Sequence, residues 1–511
     1  MTQPGAGAAL VERLAAALPP PVDRAETHGA WVLLAGDRAW KVRKPVRLAF
    51  LDYSTLDRRL AAARAEVAVN EPLAPGLYLG VRAVVADGEA VRIVPWEEAG
   101  APLEVVVEMR RFDERDTMAA RLAAGRLTED DVAAVARRLA AFHAAAPRCG
   151  AGGPGCAAAF AARVRADVEE LLALAGPRAE VDEAALERFA EVALTRRGPL
   201  LDERERRGLR RDGHGDLRAE HVLLDGPPRV FDRLEFDPSM RCTDVAGDLA
   251  FLTMDLESLG ARWAARALVD AYAAAGGDPG GPGLHALLAW QRAIVRLKVA
   301  LLQDDDDALA RLAPLERRLA WRERVPTVLL VCGPPASGKS TLAGAIAEAA
   351  EVPVVSTDVV RKDLHGVAAT TRLGADAYGE EVTERVYREV GRRAAEAARG
   401  AGGVIIDATA RSARLRRLLL DELGGAGPRV ALVCRAAPET LLERARRRAR
   451  NPDRVSDADE DVARRLAAAF EPSGAAEAGW DAVVTSPTDE GDPLAAAAAA
   501  LDGGPCPARP S

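Results

Sequence analysis

Aromatic side chains and surplus basic charge are both scarce in this sequence of 511 residues. Phe, Trp and Tyr make up 4% of it, and 69 Lys and Arg stand against 77 Asp and Glu, which gives a formal net charge of -8. Few rings are available to stack on bases, and an acidic chain is a poor general binder of nucleic acid or of an anionic membrane surface. No apolar run approaches the roughly 20 residues that span a bilayer.

Cysteines are few and lack the spacing of a metal or redox motif. No C-x-x-C pair is present, and the first residues do not have the pattern of a secretory signal. The six positions are Cys149, Cys156, Cys242, Cys332, Cys434 and Cys506. We therefore expect a cytoplasmic protein whose thiols are small buried hydrophobic groups.

The length exceeds what one hydrophobic core supports, so at least two domains are expected. Residues 25–112 alternate like short strands around one helix, and residues 113–320 have mainly helical periodicity. From 321–490, apolar strands alternate with helices, a pattern typical of a parallel sheet. The sequence thus predicts an α+β domain of two lobes over 1–320, an α/β domain over 321–490 and a flexible tail over 491–511.

The strongest motif is GPPASGKS, which begins at Gly333 and follows an apolar strand. It matches G-x-x-x-x-G-K-[ST], in which glycines let backbone N–H groups surround a phosphate and the following helix adds partial positive charge. Lys339 is expected to reach the outer phosphates of ATP, and the Ser340 hydroxyl to bind Mg²⁺. The predicted nucleotide-binding residues are Gly333, Pro334, Pro335, Ala336, Ser337, Gly338, Lys339, Ser340 and Thr341.

Two acidic residues follow later strands of the same domain. Asp358 comes after the second strand and Asp407 after the third, at the edge of such a sheet where ligands bind. We predict that Asp358 accepts the proton of an attacking hydroxyl while Arg361 binds the acceptor. Asp407 would hold magnesium through water or orient the acceptor. The alternative is that these acids only cap a helix or a strand, with a solvated arginine nearby.

Arginines crowd a later helix of this domain. Arg444, Arg447 and Arg448 are candidates to fold over the ATP phosphates as a lid, where one such arginine contributes about 10³–10⁵ in rate. Most of them are expected to be plain surface residues.

The segments GPPASGKS, STDVVRK and VIIDAT together resemble the small P-loop kinases, a group that includes polynucleotide kinases, chloramphenicol phosphotransferase and gluconate kinase. The resemblance covers about 325–490. It implies that the Asp358–Arg361 pair binds and activates the hydroxyl of an acceptor, and it leaves the acceptor itself open.

A second site is indicated by HGDLRAEH, which begins at His214, and by VFD, which ends at Asp232. One acid in a loop and a second after the next short strand resemble the layout of a eukaryotic-kinase-like fold. Asp216 would orient or deprotonate the acceptor hydroxyl, and Asp232 would hold magnesium on the ATP phosphates.

Upstream, a lysine and a glutamate have the placement of the ATP-positioning pair of such a fold. Lys41 lies in the second strand, with Lys44 as a competing candidate, and Glu66 lies on the helix that follows. Asp248, at the start of a later helix, is expected to brace the catalytic loop rather than to do chemistry.

The N-terminal motifs resemble the aminoglycoside phosphotransferases, and the whole chain resembles a family usually described as bifunctional aminoglycoside phosphotransferase/ATP-binding proteins. The resemblance rests on ordered segments such as ETHGAWVLLAGDRAWKVRKPV, APGLYLGV, HGDL, FDRLEFD and DVAGDLAFLTMDLE, followed by the P-loop domain, over about 25–490. It implies a protein-kinase-like N-terminal domain and two sites for ATP and Mg²⁺. The family name does not fix the acceptor.

One residue departs from the pattern of kinase-like folds. They carry Asn five residues after the catalytic Asp as a magnesium ligand, and here that residue is His221. An imidazole can ligate a metal but suits magnesium poorly, because magnesium prefers oxygen. A convincing glycine-rich nucleotide loop is also not evident in 27–40. Three alternatives follow for this domain: weak activity, use of one metal ion, or binding alone.

The sequence as a whole predicts an ATP-dependent phosphotransferase, a kinase acting on an alcohol group. The P-loop domain would transfer the γ-phosphoryl group of Mg-ATP to a hydroxyl of a small molecule, with a second kinase-like site in the N-terminal domain. One alternative is an N-terminal pseudokinase or binding module coupled to a P-loop ATPase switch. A further alternative is a polynucleotide 5′-hydroxyl kinase. No membrane partner is expected, and nucleic acid stays an alternative for the C-terminal domain only.

Overall fold

The computed structural model of the protein describes residues 4–27, 29–48, 51–149, 154–176, 182–449, 470–471, 479–489 and 491–503. The chain divides into two units by its contacts. The first, which we call the kinase-like unit, is Met1–Cys156 with Glu203–Pro279. The second, the P-loop unit, is Ala157–Asp202 with Gly280–Ser511.

The described strands belong to both units. In chain order they are β1 (Val22–Glu26), β2 (Ala30–Ala35), β3 (Arg38–Arg43), β4 (Arg47–Leu48), β5 (Leu51–Asp52), β6 (Tyr78–Asp87), β7 (Ala90–Pro95), β8 (Glu104–Arg110), β9 (Arg210–Asp212), β10 (Val222–Leu223), β11 (Arg229–Val230), β12 (Cys242–Asp244), β13 (Val328–Cys332), β14 (Val354–Ser356), β15 (Val404–Asp407), β16 (Arg429–Arg435) and β17 (Ala482–Pro487).

The described helices are mainly amphipathic. In chain order they are α1 (Pro4–Ala17), α2 (Leu56–Asn70), α3 (Met118–Ala123), α4 (Glu129–Ala145), α5 (Cys156–Ala175), α6 (Glu183–Arg206), α7 (Pro238–Arg241), α8 (Val245–Ser258), α9 (Arg262–Ala274), α10 (Pro282–Leu302), α11 (Asp306–Arg324), α12 (Lys339–Ala350), α13 (Thr357–Leu364), α14 (Glu380–Ala401), α15 (Ala413–Leu423), α16 (Pro438–Ala449) and α17 (Pro493–Gly503). None of these described helices combines the length and the apolar character that crossing a membrane requires.

The N-terminal lobe of the kinase-like unit is an antiparallel sheet. Its strands lie in the order β1-β2-β3-β8-β6-β7. Two hairpins form in this sheet: Gly36 lies in the turn between β2 and β3, and Gly88 lies in the turn between β6 and β7. Both glycines have positive φ, 57° and 62°, a conformation that glycine adopts without strain.

The second lobe of this unit is mainly helical, as predicted. Helices α4, α8 and α9 share one core with the short strands β10 and β11, and Leu139, Leu252 and Leu268 lie fully buried in it. Helix α8 begins where the side chain of Asp244 accepts a hydrogen bond from the Ala246 N–H. This cap lies directly before the buried helix that supports the catalytic loop.

The P-loop unit contains the predicted parallel sheet, with strand order β14-β15-β13-β16-β17. The central strand β13 is buried on both faces, as its uninterrupted apolar sequence predicts. Its residues alternate between two cores: Val328 and Leu330 face one, and Leu329 and Val331 face the other. Helices α14 and α15 cover the first face, and α11, α12 and α17 contribute to the second.

Helices that lie earlier in the chain also belong to the P-loop unit. These are α5, most of α6, α10 and α11. The fully buried Glu323 of α11 lies 2.7 Å from Arg196 and 2.8 Å from Arg197, both on α6. The predicted boundary near residue 320 therefore differs from this grouping. Ion pairs between α6 and α11 hold segments that are far apart in sequence within one unit.

Part of the predicted tail is an ordered helix. Ala497 and Leu501 of α17 are buried in the second core of the P-loop sheet. The alanine run therefore packs as a helix, since small side chains allow close approach and alanine has the highest helix propensity. Residues 504–511, which include Cys506, lie outside the described residues.

The cysteines correct one expectation. Cys149 and Cys242 form a disulfide with their Cα atoms 5.8 Å apart. Cys156, Cys332 and Cys434 are buried thiols, as expected. The sequence did not reveal the pairing because the two half-cystines lie 93 residues apart.

Two glycines on helices of the P-loop unit should respond in opposite ways to substitution by alanine. A Cβ atom at Gly391 would lie 2.7 Å from Glu422 Cβ and 3.0 Å from the Leu419 carbonyl oxygen, so Gly391→Ala should lower the free energy of unfolding by about 1–3 kcal/mol. Gly344, on α12, has open space around its Cβ position, so Gly344→Ala should raise it by about 0.5–1 kcal/mol. Urea unfolding measures both values, and equal shifts would contradict the described helix packing.

Candidate active sites

The predicted pair of Lys41 and Glu66 is formed in the kinase-like unit. Lys41 Nζ lies 2.8 Å from Oε1 of the buried Glu66. Burial alone would lower the pKa of Lys41, but the carboxylates of Glu66 and Asp232 hold it well above the usual value. The competing candidate, Lys44, lies 2.6 Å from Glu26 instead. The structure therefore separates the two lysines and places Lys41 in the site.

Arg43 also takes part in this site, and the sequence analysis missed it. Its Nη2 contacts Glu66 Oε2 and lies 2.9 Å from Glu235 Oε1. Tyr53 donates its hydroxyl hydrogen to the same Glu235 oxygen at 2.8 Å. Period-two alternation along β3 places residues 41 and 43 on one face, which is a signal for Arg43. Glu235 had no such signal, because it lies 192 residues further along the chain.

Asp232 lies within reach of the same lysine. Its Oδ1 is 3.3 Å from Lys41 Nζ, and the charge of Lys41 holds the pKa of Asp232 well below its usual value. The backbone of Asp232 is left-handed, with φ of 61°, a conformation that costs about 1–3 kcal/mol for a residue other than glycine. The Asp232 N–H donates to the Tyr78 hydroxyl at 3.2 Å. Such strain is typical of functional sites.

The loop that begins at His214 brings His221 into contact with both Asp216 and Asp232. His221 Nδ1 lies 2.9 Å from the backbone oxygen of Asp216, and its Nε2 lies 3.6 Å from Asp232 Oδ2. Arg218 Nε donates to Asp216 Oδ2 at 3.2 Å. Burial alone would raise the pKa of Asp216, but the charge of Arg218 holds it below its usual value. The loop thus presents an ionised carboxylate.

Asp248 holds the backbone of this loop, as the sequence predicts. Its carboxylate accepts hydrogen bonds from the backbone N–H groups of His214, at 2.5 Å, and Gly215, at 2.9 Å. His143 Nε2 lies 3.2 Å from the same carboxylate, and its Nδ1 lies 2.8 Å from the Tyr272 hydroxyl. Burial lowers the pKa of His214 to about 4, so that imidazole is neutral near pH 7. The loop backbone is held from beneath by a fixed negative charge.

The P-loop has the backbone geometry that its sequence predicts. Gly333 has φ of 147°, and a Cβ atom there would lie 2.7 Å from the Cys434 carbonyl oxygen. Gly338 has φ of 85° and precedes α12, whose first residue is the buried Lys339. Glycine is required at 333 because any side chain would collide with β16. The loop therefore opens a helix N-terminus, where an anion is stabilised.

Two buried polar atoms near the loop have no hydrogen-bond partner among the described residues. They are Ser337 Oγ and Asp407 Oδ1. The other oxygen of Asp407 lies 3.3 Å from the Ser356 hydroxyl, across the register pairing of β14 with β15. Buried polar atoms are rarely unpaired in a folded protein. Their presence at the carboxyl edge of the sheet fits a site that receives phosphate and a cation.

Asp358 lies at the same edge, and its carboxyl group is perturbed. Burial raises the pKa of Asp358; the charge of Lys339 lowers it by a smaller amount, and Asp407 adds a smaller increase still. Arg361, three residues further on, donates from Nη1 to the Ala377 carbonyl at 2.7 Å. The three predicted residues Lys339, Asp358 and Asp407 are thus close enough to influence one another electrostatically.

Arg361 is held rigidly and still has donor capacity. Its Cζ lies 4.7 Å from the ring centroid of Tyr378, and its buried Nε has no hydrogen-bond partner among the described residues. Burial lowers the pKa of Arg361. Tyr378 is a further candidate that sequence reasoning missed, because it lies in an exposed turn with no motif around it.

Of the predicted lid arginines, Arg444 contacts the P-loop. It donates from Nη2 to the Thr488 carbonyl at 2.7 Å, and Thr488 Oγ1 donates to the Ser337 carbonyl at 2.5 Å. Arg447 is exposed, and the side chain of Arg448 lies outside the described residues. Thr488 follows β17 and was not predicted, because nothing in its local sequence marks it.

The residues present fit a magnesium ion bound together with a nucleotide. Among the described residues, no group of three or more His, Cys, Asp or Glu side chains could hold a metal ion by itself. Magnesium keeps several waters and often takes only one or two carboxylates, with the remaining ligands from substrate phosphates. Asp407 with Ser340 in one unit, and Asp232 in the other, suit that kind of site.

The chain is similar to several known proteins. A family model described as an AAA domain matches residues 328–473. The chain is 32% identical over 479 residues to uncharacterized proteins of Mycobacterium tuberculosis and Mycobacterium bovis, covering 90% of this chain and 91% of each relative. The adenylate kinase of Kocuria rhizophila is 31% identical over 150 residues, covering 27% of this chain and 77% of that enzyme.

Two groups of solved structures also align with the chain. A choline/ethanolamine kinase family protein from Mesorhizobium loti is 16% identical and covers 60% of this chain and 92% of its own, with a TM-score of 0.35. A gluconokinase from Sinorhizobium meliloti is 20% identical and covers 34% of this chain and 90% of its own, with a TM-score of 0.24.

The architecture and the sites define a class. An antiparallel lobe with a Lys–Glu pair, joined to a helical lobe with an HGD loop, is a kinase-like fold, and the parallel sheet with GPPASGKS is a P-loop kinase fold. The chain belongs to the same family as the two mycobacterial proteins. The family-model match and the adenylate kinase likeness support a phosphotransferase in general.

The double pairing of Glu66 predicts a large stability effect. Glu66→Ala should lower the free energy of unfolding by about 3–5 kcal/mol, because it leaves the buried charge of Arg43 poorly compensated. The matched control is Glu26→Ala, which removes the exposed partner of Lys44 and should leave stability unchanged. Urea unfolding compares the two, and a loss no greater for Glu66→Ala than for the control would refute the buried pairing.

Proposed function

We propose that this protein is an ATP-dependent phosphotransferase whose P-loop unit transfers the γ-phosphoryl group to a hydroxyl of a small molecule. The observation that carries the proposal is the grouping of Lys339, Asp358, Arg361 and Asp407 at the carboxyl edge of the parallel sheet. A site that only hydrolysed ATP would not need an acid of raised pKa three residues from a buried arginine.

Each residue of the P-loop unit has a role in this proposal. The N-terminus of α12 and Lys339 bind the phosphates, and Arg444 fixes the loop from the side through Thr488. Asp358 takes the proton of the acceptor hydroxyl, and Arg361 orients the acceptor through its unpaired Nε. Magnesium, when bound near Asp407, would neutralise charge on the transferred phosphoryl group.

The kinase-like unit is proposed to hold a second nucleotide site. Lys41, fixed by Glu66, would bind the ATP phosphates, and Asp232 would hold the cation. Asp216 would orient the acceptor. This proposal agrees with the resemblance to bifunctional aminoglycoside phosphotransferase/ATP-binding proteins. It leaves the hydroxyl acceptor of each site undefined.

A second candidate function has a specific observation in its favour. His221 and Arg218 occupy the catalytic loop beside Asp216, where kinase-like folds have an oxygen ligand. A pseudokinase or binding module, coupled to a P-loop ATPase switch, would need no such ligand. A polynucleotide 5′-hydroxyl kinase is a further candidate for the P-loop unit, since such an enzyme and a small-molecule kinase both transfer phosphate to a hydroxyl. The chain is proposed to act in the cytoplasm without a membrane partner.

Variants of each site test which unit carries the chemistry. In a screen of hydroxyl-bearing metabolites and oligonucleotides with labelled ATP, Lys339→Ala should remove most turnover, because it removes the charge that reaches the outer phosphates. Asp216→Ala should reduce any transfer by the kinase-like unit by roughly 10²–10⁴. Lys44→Ala is the control, since Lys44 pairs with Glu26 outside the site. Full turnover in Lys339→Ala would move the chemistry to the kinase-like unit.

The raised pKa of Asp358 predicts a pH profile. Deprotonated Asp358 is the active base, so turnover should rise with pH through its folded-state pKa, which lies above the ordinary aspartate value of about 3.9. The acid limb of kcat/KM should therefore lie higher than an exposed aspartate would give. Asp358→Asn should abolish that limb together with most of the rate. An unchanged acid limb in Asp358→Asn would show that another group is the base.

A further inference from the structure

His221 uses both of its ring nitrogens inside the kinase-like site. Nδ1 lies 2.9 Å from the backbone oxygen of Asp216, and because a carbonyl only accepts, Nδ1 carries the hydrogen. Nε2 lies 3.1 Å from Nη2 of Arg218, and because a guanidinium only donates, Nε2 offers its lone pair. Both ring nitrogens of His221 are therefore engaged by neighbouring residues.

The guanidinium of Arg218 lies among the acids of the site. Its Nε is 3.2 Å from Asp216 Oδ2, and its Nη1 contacts the Glu220 carboxylate. Burial alone would lower the pKa of Arg218, but the charges of Asp216 and Glu220 raise it, so the group stays protonated. His221 Nε2, which accepts from Arg218, lies 3.6 Å from Asp232 Oδ2. The positive charge of Arg218 thus lies beside Asp216, and His221 contacts both Arg218 and Asp232.

This arrangement does not fit a second divalent cation. A kinase of the usual layout binds two magnesium ions, one of them through an amide oxygen of the catalytic loop. Position 221 offers no oxygen, its nitrogen lone pair is used, and a cation is already present beside it. Two positive charges a few ångströms apart repel strongly in a partly buried site.

Asp232 has an accessible carboxylate that can bind one cation. Its side chain is 46% exposed, and only Oδ1 lies near Lys41 Nζ. Magnesium bound there would complete its shell with water and phosphate oxygens, as it usually does. The site therefore has room for one divalent ion and a built-in guanidinium.

We propose that the kinase-like unit binds its nucleotide with one divalent cation, at Asp232, and that Arg218 supplies the second positive charge to the phosphates. Arg218 is the catalytic residue in this proposal, because its planar fork of N–H donors suits phosphate oxygens. His221 is a positioning residue that orients Arg218. The proposal rests on the proposed nucleotide site of this unit.

Manganese counting tests the proposal independently of activity. The full-length chain with Lys339→Ala, which weakens the P-loop site, is titrated with Mn²⁺ and a non-hydrolysable ATP analogue, and bound Mn²⁺ is counted by electron paramagnetic resonance. One Mn²⁺ per bound nucleotide is expected, and it should disappear in Asp232→Ala. Two bound Mn²⁺ ions would overturn the proposal while leaving the nucleotide site intact. No bound nucleotide would refute the proposed site itself and this inference with it.

Variants of the loop distinguish the effect of the Arg218 charge on the number of bound Mn²⁺ ions from the effect of the side chain at 221. His221→Asn alone should still bind one Mn²⁺, because Arg218 remains in place. Arg218→Ala with His221→Asn should bind two, since the cation is removed and an oxygen ligand is added. Arg229→Ala is the matched control, because Arg229 forms only a surface ion pair with Asp225. A double variant that still binds one ion would overturn the role of Arg218.

Discussion

The need to compensate buried carboxylates organises both units of this protein. A carboxylate removed from water is strongly unfavourable unless opposite charges or N–H donors surround it. Glu66 has Lys41 and Arg43, and Glu323 has Arg196 and Arg197. Glu66 ties α2 to β3, and Glu323 ties α11 to α6, which lies far away in sequence. In the kinase-like unit, this requirement also fixes the lysine that faces the proposed nucleotide, so stability and site geometry share the same atoms.

The two proposed nucleotide sites use different donors. The P-loop is proposed to bind phosphate through backbone groups, so the residue type that it mainly requires is glycine. At Gly333, for example, a side chain would collide with the Cys434 carbonyl of β16. The kinase-like site relies on side chains, and each of these must be charged and oriented by another. The pKa of Asp216 is lowered because the charged Arg218 lies beside it. Substitution in such a network changes several groups at once, whereas a backbone cradle tolerates many changes around it.

Sequence reasoning found what is encoded locally. The parallel sheet follows from apolar strands that alternate with helices, and GPPASGKS carries its own turn and helix start. Lys41, Glu66 and Asp232 were found because their order along the chain is distinctive, and the structure brings them together. Glu235 and Thr488 were missed because their partners lie far away in sequence. The disulfide was missed for the same reason, and so were the contacts of α6 with α10 and α11, which join residues far apart in the chain.

Helix α11 has a consequence for how the protein can be divided. Trp321 and Val325 lie in the same core as the inner face of the P-loop sheet, and Arg324 lies 3.0 Å from Asp502. A fragment that starts at the beginning of the P-loop motif would uncover that apolar face and leave Asp502 without its arginine. Such a piece would tend to aggregate even though its catalytic motif was complete. A gene fragment chosen by the motif alone would therefore cut through the core of the P-loop unit.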